Sequence, residues 1–313
     1  DEPLADSSGI PTFLVSQLAR DHVTVSLSGD GGDELFGGYP RYQFTDKLWR
    51  LINRVPRWSR HMASEALTWV SRRTWDGVLR LVAPTKVRDR VNGHRLHRLA
   101  RVLDSHSVDA LYVRLVSQWH KEDGIVRPHS HEDNGCMNSH QDGDESVLNR
   151  LRRFDFEHYL PDDLLTKVDR ASMSVSLESR APFLDHELVE FAWALPERVL
   201  VREGQGKWIL RQMLDRYVPR ALVERPKAGF AIPVARWLRT DLREWAEHLL
   251  DERTLHTQGY LDPEPVRRMW QEHCSGKYDR QAYLWNVLMF QAWLEVQAPA
   301  SSSVESCVKQ AIG

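Results

Sequence analysis

The chain carries almost no surplus charge of either sign. Its 42 lysines and arginines nearly balance 44 aspartates and glutamates, for a formal net charge of −2. Nothing global therefore draws it to nucleic acid or to an anionic membrane. It has no apolar run long enough to span a bilayer. The opening residues, "DEPLADSSGI", contain no basic stretch followed by an apolar one, so they do not read as a secretory signal. They also lack an initiator methionine, which makes a fragment or a processed product the expectation. Cysteine is scarce as well. Cys136, Cys274 and Cys307 are odd in number and far apart. That argues against a disulfide framework and suits a reduced, cytoplasmic protein. No internal repeat is evident.

What is present is ordinary globular material, enough for a sizeable core in one large or two smaller domains. The twelve tryptophans read as filling for cores and helix contacts. Near the start, Ser7 or Ser8 is placed to cap a helix whose first turn holds Pro11. Ile10, Phe13, Leu14 and Leu18 follow helical spacing. In "HVTVSLS", Val23, Val25 and Leu27 alternate as in a short strand. The glycine-rich "SGDGGDELFGGY" follows at once and begins as a helix before Gly37 and Gly38 break it. Helix, strand, glycine loop, helix is the order of an open α/β sheet. Ligands of such sheets gather beyond the carboxyl ends of the strands.

Residues 47–115 read as basic helical faces over apolar stripes, with acidic residues balancing the whole. Residues 121–146, "KEDGIVRPHSHEDNGCMNSHQDGDES", hold almost no core material and read as a polar loop or insertion. His129, His131, Cys136 and His140 fall there, but their spacing fits no standard zinc pattern. From Arg150 onward the pattern turns helical. "DDLLTKVDRASM", "DHELVEFAWAL" (capped by Asp185), "GKWILRQMLDRYV", "PVARWLRTDLREWAEHLL" and "AYLWNVLMFQAWLEV" each carry amphipathic spacing. Residues 298–313 read as a loose tail. The expected fold class is α/β: an incomplete open parallel sheet flanked by helices, with a mostly helical C-terminal part.

The glycine loop raises a question of chemistry. Loops of this kind cradle phosphates, yet this one carries Asp30, Asp33 and Glu34. Gly29, Gly31 and Gly32 permit positive φ and close approach of a ligand. The amides of Ser28 and Gly29 are then free for a nucleotide. Asp33 is placed to reach a Mg²⁺ ion that bridges phosphate oxygens. Asp30 remains as a second carboxylate, able to act as a base or to position an amine. Spacing alone leaves open a plain turn that joins strand to helix. Lys207 opens a helix after glycines, so its ammonium and the helix start can share an anion, or it is a surface lysine. Arg180 reads as structural, holding Asp185 or Glu178.

"SLSGDGGDELFGGY" resembles the signature loop of the asparagine synthetase family, in its ATP-pyrophosphatase domain. "DEPLADSSGIPTFLVSQLAR", "LPDDLLTKVDRASMSVSLESRAPFLDHELVEFA", "GKWILR" and "RPKAGFAIP" resemble further family segments in family order, across residues 1 to about 238. The resemblance implies one partial synthetase domain over residues 1–297, with an ATP-pyrophosphatase, adenine nucleotide α-hydrolase-like fold. It implies ATP and Mg²⁺ as cofactors. It also implies formation of asparagine from aspartate through a β-aspartyl-adenylate, which ammonia derived from glutamine attacks.

By the same resemblance, Ser28, Gly29 and Gly31 belong to the nucleotide contacts, with Lys207 beside them, and Asp33 is a magnesium ligand. Asp30 stands where many relatives have glutamate, at a position tied to intermediate formation and amine deprotonation. Lys227 corresponds to the lysine that stabilises charge developing on the phosphate. Asp169 and Arg170 lie in the central signature without an assigned role.

Two departures stand beside these matches. The family's Ser-Gly-Gly-x-Asp-Ser phosphate loop does not occur in this sequence, nor does its glutaminase domain with an N-terminal nucleophilic cysteine. The expected partners are therefore the missing glutaminase domain and small molecules, not nucleic acid or membrane, with a homodimer also allowed. Alternatives are an amidotransferase acting on another carboxylate, or a truncated scaffold without activity. The isolated chain is expected to bind ATP weakly and to be inactive.

Overall fold

The structure is a computed structural model that describes residues 2–70, 74, 75, 77, 93–119, 124–127, 145–223, 232–276 and 278–297. Lys227, most of the expected polar loop, its histidines and the tail 298–313 lie outside the described residues.

The chain opens as its periodicity predicts. Helix α1 spans Gly9–Arg20 and leads into strand β1, Val25–Leu27. The cap differs in detail. Ser8 is the N-cap, but its hydroxyl donates to Asp6 Oδ2 at 2.6 Å instead of accepting from the helix. After the glycine loop come the single-turn α2 (Gly32–Leu35), then α3 (Pro40–Ile52) and α4 (Arg57–Trp69). Helices α5 (Gly93–Leu103), α6 (Val108–Val116) and α7 (Val147–Phe154) follow. A wide, π-helical segment, Asp155–Leu165, continues α7 and carries Pro161. It passes into α8, Thr166–Met173.

Strand β2, Glu178–Arg180, then pairs in parallel with β1 in the register Val25↔Glu178, Ser26↔Ser179 and Leu27↔Arg180. Among the described residues these two strands are the whole sheet. The chain is thus mostly helical around a small open parallel pair. The alternation of Val23, Val25 and Leu27 marks a real strand, but β1 is not buried. Leu27 is 74% exposed, and Leu14 and Leu18 of α1 are exposed beside it.

Beyond β2, Asp185 caps α9 (His186–Ala194), accepting from the amides of Glu187 and Leu188 as its position predicts. Arg180 pairs with Glu178 at 2.7 Å and not with Asp185. Helices α10 (Trp208–Leu214), α11 (Arg243–Leu249), α12 (Glu252–Gln258), α13 (Pro263–Cys274) and α14 (Gln281–Gln297) complete the fold.

The stretch "PVARWLRTDLREWAEHLL" reads as one helix but breaks after Trp237. There the amide of Leu242 donates to Trp237 O, and the Thr240 hydroxyl donates to Arg236 O and to Asp241 Oδ2. These bonds compete with helix continuation.

The largest apolar cluster is C-terminal, with Leu249, Leu250, Trp270, Leu284 and Leu288 at its heart. Ile125 joins it, and the amide of Asp262 donates to Ile125 O at 2.8 Å. Part of the segment expected as a solvated loop is therefore core, because Ile125 packs into the C-terminal apolar cluster. The tryptophans divide: Trp270 and Trp285 are buried, whereas Trp58 and Trp69 are exposed. A second cluster holds Leu35, Phe36, Ala192 and Leu200, against Phe183, Trp193 and Ile209. It anchors the glycine loop, since Leu35 and Phe36 are the loop's own continuation.

Candidate functional site

The glycine loop leaves the carboxyl end of β1 beside the end of β2. The amide of Ser28 donates to Arg180 O at 2.8 Å, extending the ladder by one rung, so it is committed to the sheet and is not free for a nucleotide as expected. Gly31 turns the chain with φ +84°, and a Cβ there would sit 2.4 Å from Leu184 Cδ2. Only glycine meets both demands. Phe183 and Leu184, in the turn after β2, thus form the floor of the loop.

The groups on the open side are unclaimed. A Cβ on Gly29 would meet nothing within 4 Å. The Ser28 hydroxyl is buried with no hydrogen-bond partner among the described residues. Asp30 is half-buried and makes no hydrogen bond or ion pair among them. Buried polar groups are normally paired; the Ser28 hydroxyl departs from that rule.

Asp33 is held differently. Its Oδ1 lies 2.9 Å from Lys207 Nζ. Lys207 has left-handed backbone (φ +56°) and precedes α10, and its amide donates to Phe36 O at 3.0 Å. The approach of the two segments depends on glycines. A Cβ on Gly38 would lie 2.0 Å from Asp33 Oδ1 and 2.4 Å from Lys207 Cε. A Cβ on Gly206 would lie 2.3 Å from Gly37 O. The structure therefore brings together Ser28, Gly29, Asp30, Gly31 and Asp33 on one loop, with Lys207 added from 174 residues beyond Asp33 in the chain. Arg170 reaches the N-terminal segment instead, donating to Glu2 O at 2.8 Å.

Behind the loop lies a layer that sequence reading missed. Glu34 is buried and accepts from the Tyr39 hydroxyl at 2.8 Å. Burial pushes its carboxyl above the ordinary glutamate value. Arg41 stacks on the rings of Tyr39 and Tyr159 and donates to Asp155 Oδ2 at 2.7 Å. The hydroxyls of Tyr42 and Tyr112 donate to the same oxygen. Arg152 is fully buried; burial pulls its guanidinium down to about 10. It donates through Nε to Glu34 O at 3.0 Å, through Nη2 to Leu35 O and through Nη1 to Asn149 Oδ1, and it lies over the Trp193 ring. No local signal separates Arg152 from its neighbours in "NRLRRF"; apart from Asn149, its partners are remote in sequence.

Among the described residues, no group of three or more His, Cys, Asp or Glu is arranged to hold a metal ion. Asp33 is one carboxylate, so a cation here needs ligands from elsewhere, such as phosphate oxygens or residues outside the described set. The unclaimed Ser28 hydroxyl and the open face of Gly29 fit a phosphate-bearing ligand. No helix among the described residues is long and apolar enough to cross a membrane.

The model of the asparagine synthase family matches residues 1–295. The chain belongs to the asparagine synthase family. An asparagine synthetase (glutamine-hydrolysing) 1 of Bacillus subtilis is 29% identical over 293 residues, which cover 94% of this chain and 44% of that protein. Putative glutamine-hydrolysing asparagine synthetases of Mycobacterium bovis and Mycobacterium tuberculosis are 32% identical over 301 residues, 94% of this chain and 42% of each. The chain thus spans less than half the length of these curated relatives. Both the glycine loop and the segment around Lys207 fall within the residues matched by the asparagine synthase model.

Proposed function

We propose that this chain is the ATP-using part of a glutamine-dependent asparagine synthetase, with an ATP-pyrophosphatase-type fold. One observation carries the reading most directly. At the carboxyl end of a parallel strand pair, the Asp33 carboxylate lies beside the Lys207 ammonium, while Ser28 and Asp30 keep uncommitted polar groups.

The residues divide the work. The Ser28 hydroxyl and the Gly29 backbone hold the nucleotide at the strand end, where Gly29 leaves room for close approach. Gly31 fixes the turn that aims them. Asp33 would hold Mg²⁺, which supplies neutralisation of the phosphate charge. Lys207 carries a second positive charge to the same place, and Lys227, outside the described residues, is the lysine that by family resemblance stabilises charge developing on the phosphate. Asp30 faces the reacting centre and takes the proton that ammonium must lose before it attacks an activated carboxylate. The overall change is aspartate plus ATP to an acyl-adenylate plus pyrophosphate. Ammonia then displaces AMP to give asparagine. The ammonia source would be a glutaminase domain, in keeping with the glutamine-hydrolysing activity in the relatives' names, and the setting cytoplasmic.

The test is aspartate-dependent release of pyrophosphate from MgATP by the full-length protein. Asparagine should form when ammonia is added, and Asp30→Asn should depress its formation. Pyrophosphate release with a different carboxylate, and none with aspartate, would replace the acceptor. No release with any carboxylate would defeat the enzymatic reading.

A further inference from the structure

Helix α2 is a single turn, too short to satisfy its own carbonyl groups. Every carbonyl from Asp33 to Phe36 nevertheless has a donor. The amide of Gly38 donates to Asp33 O at 2.8 Å. Arg152 donates Nε to Glu34 O and Nη2 to Leu35 O. The amide of Lys207 donates to Phe36 O. Two of the four are therefore closed by one side chain from α7, which lies 118 residues from Glu34 in sequence.

Arg152 is an unusual means of holding a turn. It is fully buried, and no carboxylate forms an ion pair with it among the described residues. Its charge rests on carbonyl dipoles, the Asn149 amide oxygen and the face of Trp193. A planar fork donates to two successive carbonyls in fixed geometry, which a lysine ammonium does not reproduce. The turn so fixed bears Asp33, whose carboxylate leaves it toward Lys207.

We propose that Arg152 is a positioning residue for the cation-binding carboxylate Asp33. It acts through the carbonyls of Glu34 and Leu35 and touches no substrate. This rests on the reading of Asp33 given above. Groups that orient a metal ligand from behind typically change metal affinity by 10–100-fold when removed.

The test uses the full-length protein, with Mn²⁺ and inorganic pyrophosphate as the probe and bound Mn²⁺ read by electron paramagnetic resonance. Arg152→Met should weaken Mn²⁺ binding by about tenfold or more. Arg152→Lys should recover part of the loss. Asn149→Ala, which frees only Nη1, provides a milder variant should Arg152→Met fail to fold, and should fall between wild type and Arg152→Met. Leu250→Ala, in the C-terminal cluster, serves as a control that lowers thermal stability at a distance; its Mn²⁺ affinity should stay at wild type. Folded Arg152 and Asn149 variants with affinity within about twofold of wild type would overturn the proposal, as would an equal loss in Leu250→Ala. Wild-type protein whose Mn²⁺ binding is indifferent to Asp33→Asn would instead overturn the reading of Asp33, and this inference with it.

Discussion

Gly206→Ala places a single methyl group where two backbones meet. The new Cβ would lie 2.3 Å from Gly37 O and 3.0 Å from Gly38 Cα. A comfortable carbon–oxygen contact is about 3.3 Å, so the segments must separate by roughly 1 Å. That movement stretches the bond from the Lys207 amide to Phe36 O, now 3.0 Å, beyond useful length. Overpacking costs about 1–3 kcal/mol, and a stranded buried carbonyl about 1–3 kcal/mol more. Reduced freedom of the unfolded chain returns about 0.4–1 kcal/mol. The balance is a loss of about 3 kcal/mol, or roughly 6–12 °C in melting temperature for a domain of this size.

Scanning calorimetry on Gly206→Ala and Gly29→Ala measures this directly. Gly29 has open space around it, so its alanine variant should melt within about 2 °C of wild type. Equal shifts for both, or none for Gly206→Ala, would show that the glycine brace does not hold the loop against α10.

Glu34→Gln should stabilise the protein at neutral pH, because burial raises the carboxyl above its ordinary value of 4.5. The folded state therefore holds its proton more tightly, and wild-type stability falls as pH rises from about 4.5 through the raised value. The gap between variant and wild type should widen over that window and vanish below it; a gap independent of pH refutes this. Asp155→Asn removes the charge that faces Arg41 and collects two tyrosine hydroxyls, and should cost about 3 kcal/mol by denaturant titration. An effect below about 1 kcal/mol would mean that the network is dispensable. The isolated chain of 313 residues, which lacks a Ser-Gly-Gly-x-Asp-Ser loop, should give no micromolar binding of MgATP in isothermal titration. Lys227→Ala in the full-length protein should slow adenylation about a hundredfold and spare glutamine hydrolysis; equal loss of both points to misfolding.

Much of the loop's shape was legible because its determinants are local. Glycines and acids within a few positions announce a tight loop, and Asp185 announces a helix start by its neighbours alone. Strand β2 was not legible. Glu178, Ser179 and Arg180 show no apolar alternation, and their pairing with β1 is made by backbone. The π-helical segment reads as an ordinary helix, since its apolar spacing survives the widening around Pro161. Arg152 reads as one more surface arginine. What makes it a core residue is the arrival of Glu34, Leu35 and Trp193, which no window of sequence around it contains. Tertiary partners, not propensity, set such positions.

The glycine brace also has a consequence in time. The loop is made well before Arg152 and Lys207, which fasten it and come much later in the chain. At 5–20 residues per second, some 180 residues of synthesis occupy roughly 10–40 s. Through that interval the nascent chain holds a strand without its partner and a turn without its donors. The loop is written well before it is closed, so its assembly depends on how the growing chain is sheltered on the ribosome.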